Sequence, residues 1–230
     1  MDRELVKKPK SRMRNGTGEP QGFLFENSLR NVAVIFLGWV VVFLACLTAA
    51  WGGSTPTGAV KETVDQVFVV LRDQSLKDPA RQTERRAKLE EIIGQRFDYA
   101  EMAKRTLASQ WKGLSSEQQQ EFVILFQQFL ANSYVGNVDG YSGEEVEYLK
   151  EREKGEFAEV QTKVVSPKVQ IPLDYRLLQK NGEWWVYDVV IDGVSLMKNY
   201  RGQFSRIINS SSFEALLEKL RSKADLGTSS

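Results

Sequence analysis

The amino-acid sequence predicts an α+β fold: an antiparallel, curved sheet of about four strands wrapped by helices, with a membrane-inserting helix near the N-terminus. Apolar residues alternate with polar ones over 146–191, which is the spacing of strands, and they recur at helical spacing on both sides of that stretch. Runs of helices separated from a run of strands are typical of the α+β class. The membrane-inserting helix is predicted from residues 32–50, which contain no charged side chain.

The segment before the apolar run is rich in Lys and Arg, from Arg3 to Arg30. By the positive-inside rule we expect this flank to stay cytoplasmic and the rest of the chain to be exported. Residues 1–50 are therefore predicted to be a signal peptide or a membrane anchor. Thr48-Ala49-Ala50 offers small residues to signal peptidase, whereas the run approaches the length of a spanning helix, so both alternatives stay open. Acylation of Cys46 is a further alternative.

Composition excludes several classes of function. The 230 residues include no histidine and one cysteine, which excludes imidazole-based triads, histidine-ligated zinc and an intrachain disulfide framework. The 31 basic and 30 acidic residues nearly balance, so we expect no general affinity for nucleic acid. The sequence has no GxxxxGKS/T phosphate loop and no GxGxxG after a strand, so any energy input must come from a partner.

The folded domain is predicted at residues 59–226, between a linker rich in Gly, Ser and Thr at 51–58 and a short tail at 227–230. Its first helix is expected to run from about Ala59 to Lys77. The apolar stripe of that helix consists of Val60, Val64, Val67, Phe68 and Leu71.

Capping residues mark the starts of the later helices. Asp78 can cap a helix whose first turn holds Pro79, where the missing N–H costs nothing. Asp98 and Ser115 each lie three residues before a Glu or Gln, which is the spacing of a capping box, and Ser211 has the same spacing ahead of the last helix. The helix that Ser115 begins carries an apolar face of Phe122, Leu125, Phe126, Phe129 and Leu130.

Turn residues divide the alternating stretch into strands. Gly155 lies in one predicted hairpin turn, and Asn181-Gly182 is the clearest two-residue hairpin turn of the chain. Pro172 in the third strand indicates an edge or a bulge. The fourth strand is expected from Trp184 to Asp192. Simple alternation places on one of its faces Trp185, Tyr187, Val189 and Ile191.

Several stretches together resemble the MlaC family, the toluene-tolerance auxiliary proteins of ABC-type lipid transport. They are RFDYAEMAKRTLASQW at 96–111, SSEQQQEFVILFQQFLANSY at 115–134, NGEWWVYDVVIDGVSLMKNYRGQF at 181–204 and FEALLEKL, which ends at residue 220. The most specific part is the pattern formed by Trp184, Tyr187, Asp188, Gly193, Val194 and Ser195.

The resemblance implies an exported phospholipid carrier without catalytic residues, so that 59–226 would be a phospholipid-binding domain with phospholipid as cargo and no cofactor. It implies exchange of lipid with an outer-membrane lipoprotein complex and with an inner-membrane ABC transporter and its periplasmic lipid-binding subunit. This exchange would maintain outer-membrane lipid asymmetry. The expected location is the periplasm, either soluble after signal cleavage or tethered to the inner membrane by residues 32–50. The long basic lead and long apolar run depart from the compact signal peptide that is usual in the family.

Candidate lipid-binding residues follow from the faces on which apolar side chains lie. Each of them could instead pack in a core, since an aromatic stripe at helical spacing is more often packing than ligand lining. The candidates are Phe126, Phe129, Tyr134, Val146, Tyr148, Val160, Val164, Leu173, Tyr175, Tyr187, Val189, Tyr200 and Phe204.

Two alternatives belong to other classes of function. One is a small α+β enzyme with a cone-shaped fold, in which Asp174 or Asp188 would be a buried carboxylate base. The other is a ligand-free adaptor that bridges complexes of the cell envelope.

Overall fold

A computed structural model describes residues 54–135, 141–167 and 170–226, and within these ranges the chain forms six α-helices and a five-stranded antiparallel sheet. The predicted α+β class is confirmed, with one short strand more than expected. The apolar run at 32–50 and its predicted membrane-inserting helix lie outside the described residues. In the part that is described, no helix combines the length and apolarity needed to cross a membrane.

The helices are α1 (Pro56–Arg72), α2 (Gln82–Gly94), α3 (Tyr99–Leu107), α4 (Ser116–Val135), α5 (Leu196–Ser210) and α6 (Phe213–Leu226), with short 3-10 helices at Gln74–Lys77, Pro79–Arg81 and Ala108–Gly113. Helix α1 begins inside the stretch that the sequence predicted as a linker, because Thr55 caps it by accepting a hydrogen bond from the Gly58 N–H (3.0 Å). It ends before Lys77, because Asp73 accepts from the Ser75 N–H (2.8 Å) and begins a 3-10 turn.

Most of the predicted caps are confirmed. Asp98 accepts a hydrogen bond from the Glu101 N–H (2.9 Å), and Ser115 and Gln118 exchange the two bonds of a capping box (3.0 and 3.2 Å). The cap of α6 is one residue later than predicted. It is Ser212, whose hydroxyl accepts from the Ala215 N–H (3.1 Å).

The strands are β1 (Glu145–Lys154), β2 (Phe157–Val165), β3 (Gln170–Lys180), β4 (Glu183–Ile191) and β5 (Val194–Ser195), in spatial order β1-β2-β3-β4-β5. The turn between β3 and β4 has positive φ at both Asn181 (53°) and Gly182 (83°), as a tight hairpin turn of the predicted kind requires. On the other side of β4, the chain before α3 adds a short parallel bridge between Phe97 and Val186.

A β-bulge at Tyr187 reverses the alternation in β4. Arg176 pairs with Asp188 while the next residue of β3, Leu177, pairs with Val186, so Tyr187 has no partner on β3. The prediction that Trp185, Tyr187, Val189 and Ile191 share a face is therefore wrong. Beyond the bulge the alternation is inverted, and the β4 residues that pack in or against one core are Trp184, Val186, Val189 and Ile191.

The buried residues form three clusters. The bundle core joins α3, α4, α5 and α6 through Met102, Leu107, Phe122, Phe126, Tyr200, Phe204 and Leu216. The sheet core joins the start of α1 to the sheet through Ala59, Val60, Val160, Leu177, Trp184 and Val186. The corner core joins the end of α1 to α2 through Val70, Leu71, Leu76 and Leu89.

Asp188 links the sheet to the bundle. Its side chain is 5% exposed, and its carboxylate accepts hydrogen bonds from Arg176 Nη1 (3.0 Å), Ser195 Oγ (2.6 Å) and the Met197 N–H (3.1 Å). These donors belong to β3, β5 and the first turn of α5. One carboxylate therefore fixes the angle at which α5 leaves the sheet.

The Asp188→Asn variant is expected to lower the free energy of unfolding by about 2–4 kcal/mol, because a neutral amide replaces a buried carboxylate that accepts three hydrogen bonds. The matched control is Asp65→Asn in α1, where a 58% exposed carboxylate pairs with Lys61 and the expected change is within about 0.5 kcal/mol. Chemical denaturation of both variants measures the difference. Equal values for the two variants would show that Asp188 is not a structural link.

Candidate functional site

A cavity of about 370 Å³ lies between α1 and the sheet. This volume falls within the range of about 300–1,000 Å³ that is usual for ligand-binding sites. Its walls are mostly apolar. One wall is the stripe of α1, namely Val60, Val64, Val67, Phe68 and Leu71, and the facing wall comes from the sheet, namely Val146, Val164, Leu173, Tyr175 and Val186.

The α1 wall follows from helical spacing, because its five apolar residues share one face over about three turns. The two ends of α1 pack against different partners. Ala59 and Val60 are buried against the sheet, whereas Val70 and Leu71 are buried in the corner core with α2. The cavity occupies the space that remains between those two contacts.

The sheet wall consists of residues from β1, β2, β3 and β4. Val146 and Val164 are direct partners across β1 and β2, and both are half-buried. Tyr175 lies beyond them, and its burial raises the pKa of its phenol well above the ordinary value. Burial likewise raises the pKa of the neighbouring Tyr148 to about 12. Both phenols are therefore neutral at physiological pH, and this wall adds no charge to the cavity.

Ionised groups line the cavity at two places, Arg96 and Glu144. The Glu144 carboxylate accepts hydrogen bonds from the N–H and the hydroxyl of Ser142 (2.8 Å each), and these bonds lower its pKa, so it is ionised at neutral pH. Beside it, Tyr141 accepts a hydrogen bond from Arg72 Nε (3.2 Å) and its ring lies 5.8 Å from that of Phe68.

The structure brings four of the candidate residues predicted from sequence to the cavity: Val146, Val164, Leu173 and Tyr175. Three others belong to the neighbouring sheet core but are not part of the cavity wall, namely Tyr148, Val160 and Val189. The remaining six lie in or against the bundle core, away from the cavity wall: Phe126, Phe129, Tyr134, Tyr187, Tyr200 and Phe204.

The aromatic residues of the bundle core contact one another. Phe126 stacks on Phe122 (ring centroids 5.7 Å apart) and makes T-shaped contacts with Tyr200 (5.8 Å) and Phe204 (5.7 Å). Tyr134 and Tyr200 share a hydrogen bond between their hydroxyls (3.0 Å). These rings thus contact one another, which is the arrangement of a packed core.

Sequence reasoning did not assign the α1 wall to a site, although it identified the stripe. An apolar stripe shows that a helix face is covered, but it does not show whether a protein core or a cavity covers it. The lining residues that were missed are Val60, Thr63, Val64, Val67, Phe68, Leu71, Ile93, Arg96, Phe97, Tyr141, Glu144 and Val186.

The two carboxylates considered as catalytic bases are not part of the cavity wall. Asp188 is held by its three donors near the bundle, and Asp174 accepts a hydrogen bond from the Thr162 N–H (3.3 Å). Neither carboxylate is therefore placed to act on a molecule held in the cavity.

Comparison with known proteins agrees with this architecture. A family model described as MlaC protein matches residues 61–222. The intermembrane phospholipid transport system binding protein MlaC of Haemophilus influenzae is 26% identical over 126 residues, which is 52% of this chain and 59% of that relative. The matched region thus spans less than two thirds of the relative's length.

A solved structure has the same fold. It is a phospholipid-binding protein from Ralstonia solanacearum in complex with a phospholipid, and it superimposes with a TM-score of 0.67 at 24% sequence identity. The superposition covers 74% of this chain and 97% of that one.

A pair of variants separates the cavity from the bundle core. Phe126→Ala is expected to lower the free energy of unfolding by about 3–5 kcal/mol, because it removes a fully buried ring, while leaving uptake of an apolar fluorescent probe intact. Val164→Trp is expected to reduce probe uptake by occupying part of the cavity and to destabilise the protein less than Phe126→Ala does. Denaturation and probe titration measure the two effects. Loss of probe uptake in Phe126→Ala alone would place the ligand in the bundle instead.

Proposed function

This chain belongs to the MlaC family, and we propose that it is a periplasmic carrier that holds the acyl chains of a phospholipid between α1 and the sheet. The observation that carries the proposal is the apolar cavity between those two walls. The name of the Haemophilus relative and the phospholipid in the Ralstonia structure support it.

A phospholipid carrier must keep the acyl chains away from water. Exposing two acyl chains of roughly thirty methylenes to water would cost on the order of 20 kcal/mol, at about 0.8 kcal/mol per methylene. Valine, leucine and phenylalanine side chains in the cavity wall replace the bilayer as the surroundings of the tails. Because the lipid then moves between two apolar environments, the net free energy of each transfer is small.

Transfer of this kind needs a donor and an acceptor. We propose that they are an outer-membrane lipoprotein complex and an inner-membrane ABC transporter with its periplasmic lipid-binding subunit, so that the carrier maintains outer-membrane lipid asymmetry. The name of the Haemophilus relative, which places that protein in an intermembrane transport system, supports this assignment. The chain then acts as a binding protein without chemistry of its own, and residues 1–50 deliver it to the periplasm as a signal peptide or an anchor.

The proposal is tested by two tryptophan substitutions in α1. Val67 lines the cavity, whereas Val69, two residues along the same helix, is 71% exposed. Val67→Trp is expected to reduce copurified phospholipid about tenfold or more, because excluding even two methylenes costs about 1.6 kcal/mol and 1.4 kcal/mol is tenfold. Val69→Trp should retain the wild-type amount.

The measurement is extraction and quantification of phospholipid from the full chain, purified from the cell envelope in mild detergent. Both variants carry the same apolar run at 32–50, so lipid associated with that run contributes equally and the difference reports the cavity. Equal amounts of phospholipid on the two variants, with both chains folded, would refute the proposal.

A further inference from the structure

The two ionised residues in the cavity wall have opposite charge and lie at different levels of α1. Arg96 contacts Thr63, whereas Glu144 follows Tyr141 by three residues in the chain, and Tyr141 contacts Phe68 and Arg72. From residue 63 to residue 72 the helix rises by about 13 Å at about 1.5 Å per residue. The cavity wall therefore has a guanidinium at the Thr63 end and a carboxylate at the other end, where Arg72 lies outside the wall and donates to Tyr141.

The guanidinium of Arg96 is held firmly in place. Its Nε donates to Thr63 Oγ1 (3.3 Å) and its Nη1 donates to the carbonyl oxygen of Trp184 (3.0 Å), so it joins α1 to β4. The backbone of Arg96 is fixed as well, because its carbonyl accepts a hydrogen bond from the Val186 N–H (2.9 Å). A group fixed in this way loses little conformational entropy when it binds a ligand.

The charge of Arg96 is incompletely neutralised. Its side chain is 16% exposed, and its carboxylate partner is Glu62, which is 61% exposed and lies 3.5 Å from Nη2. A guanidinium has five N–H donors, and the described contacts of Arg96 use three of them. A cation placed beside apolar walls gains more from an anionic ligand than a fully solvated cation does.

We propose that Arg96 binds the phosphodiester of the carried glycerophospholipid, and that this contact sets the direction of the lipid in the cavity. The headgroup then lies at the level of Thr63, where Glu62 marks the solvent boundary, and the acyl chains extend along α1 toward Tyr141. Planar N–H pairs of Arg match phosphate oxygens in geometry and charge. This inference rests on the proposed function.

Glu144 supports the same direction. Its hydrogen bonds from Ser142 lower its pKa, so the wall at that end presents a negatively charged carboxylate, while the Arg72 guanidinium lies outside the wall against Phe68 and Tyr141. A lipid in the reverse direction would place its phosphate beside this carboxylate and leave Arg96 facing acyl chains. Both contacts are unfavourable, so one direction dominates.

The test is competition between two lipids with identical palmitoyl chains, one with a phosphate and one without. The full chain is mixed in detergent micelles with equal amounts of dipalmitoylphosphatidylglycerol and dipalmitoylglycerol. Native mass spectrometry then measures the ratio of protein bound to each lipid. The wild-type chain should prefer the phosphate-bearing lipid by about tenfold or more, because hydrogen bonds between charged groups are worth at least that factor. Inorganic phosphate alone should give no bound adduct.

Variants assign the preference to Arg96. Arg96→Gln should bring the ratio of the two bound lipids close to one, and Arg96→Lys should retain part of the preference, since it keeps the charge without the planar pair of donors. The matched control is Arg86→Gln, which removes a charge from α2 at a residue that pairs with Glu90 and is not part of the cavity wall. This control should retain the wild-type ratio.

Each result decides the inference. If the wild-type chain binds the two lipids in a ratio near one, the inference is overturned whether or not the Arg96 variants fold. It is also overturned if Arg96→Gln keeps the wild-type ratio. Binding of inorganic phosphate that is lost in Arg96→Gln would make Arg96 a site for free anions and would also overturn it. Failure to take up either lipid would instead refute the proposed function, and the inference with it.

Discussion

The two ends of helix α1 pack against two different apolar surfaces, and the cavity depends on that constraint. Ala59 and Val60 pack on the sheet at one end of the helix, while Val70 and Leu71 pack on α2 at the other. A helix held in this way cannot cover the sheet along its whole length. The apolar side chains between the two contacts therefore face a space of about 370 Å³, whose lining favours an apolar occupant over water.

The rest of the molecule holds this frame in place. None of the described buried residues of the bundle core lines the cavity, although Phe97 packs against that core and also lines the cavity, and the Asp188 carboxylate ties helix α5 to the sheet. The bulge at Tyr187 inverts the alternation in β4, so that Val189 packs in the same core as Val186 while Tyr187 packs against the bundle. In the proposed carrier, a rigid bundle supports a cavity whose shape depends on α1.

Local side-chain chemistry made much of the fold predictable. The caps at Asp98 and Ser115 and the turn at Asn181-Gly182 depend on a few neighbouring residues, and the sequence shows these directly. The bulge at Tyr187 was not predictable, because an inserted residue looks the same as regular alternation in a strand that is apolar on both faces. The cavity wall was predicted only in part, because the stripe that includes Phe126 indicates burial without showing what covers it.

The central claim is that the acyl chains of a phospholipid lie between α1 and the sheet. A phospholipid with a photoactivatable group at the end of one acyl chain, loaded onto the full chain and crosslinked, tests it most directly when labelled peptides are mapped over residues 54–226. The account predicts labels on cavity-wall residues such as Phe68, Leu71 or Val146. Labels concentrated on bundle residues such as Phe126 and Phe204 would contradict it.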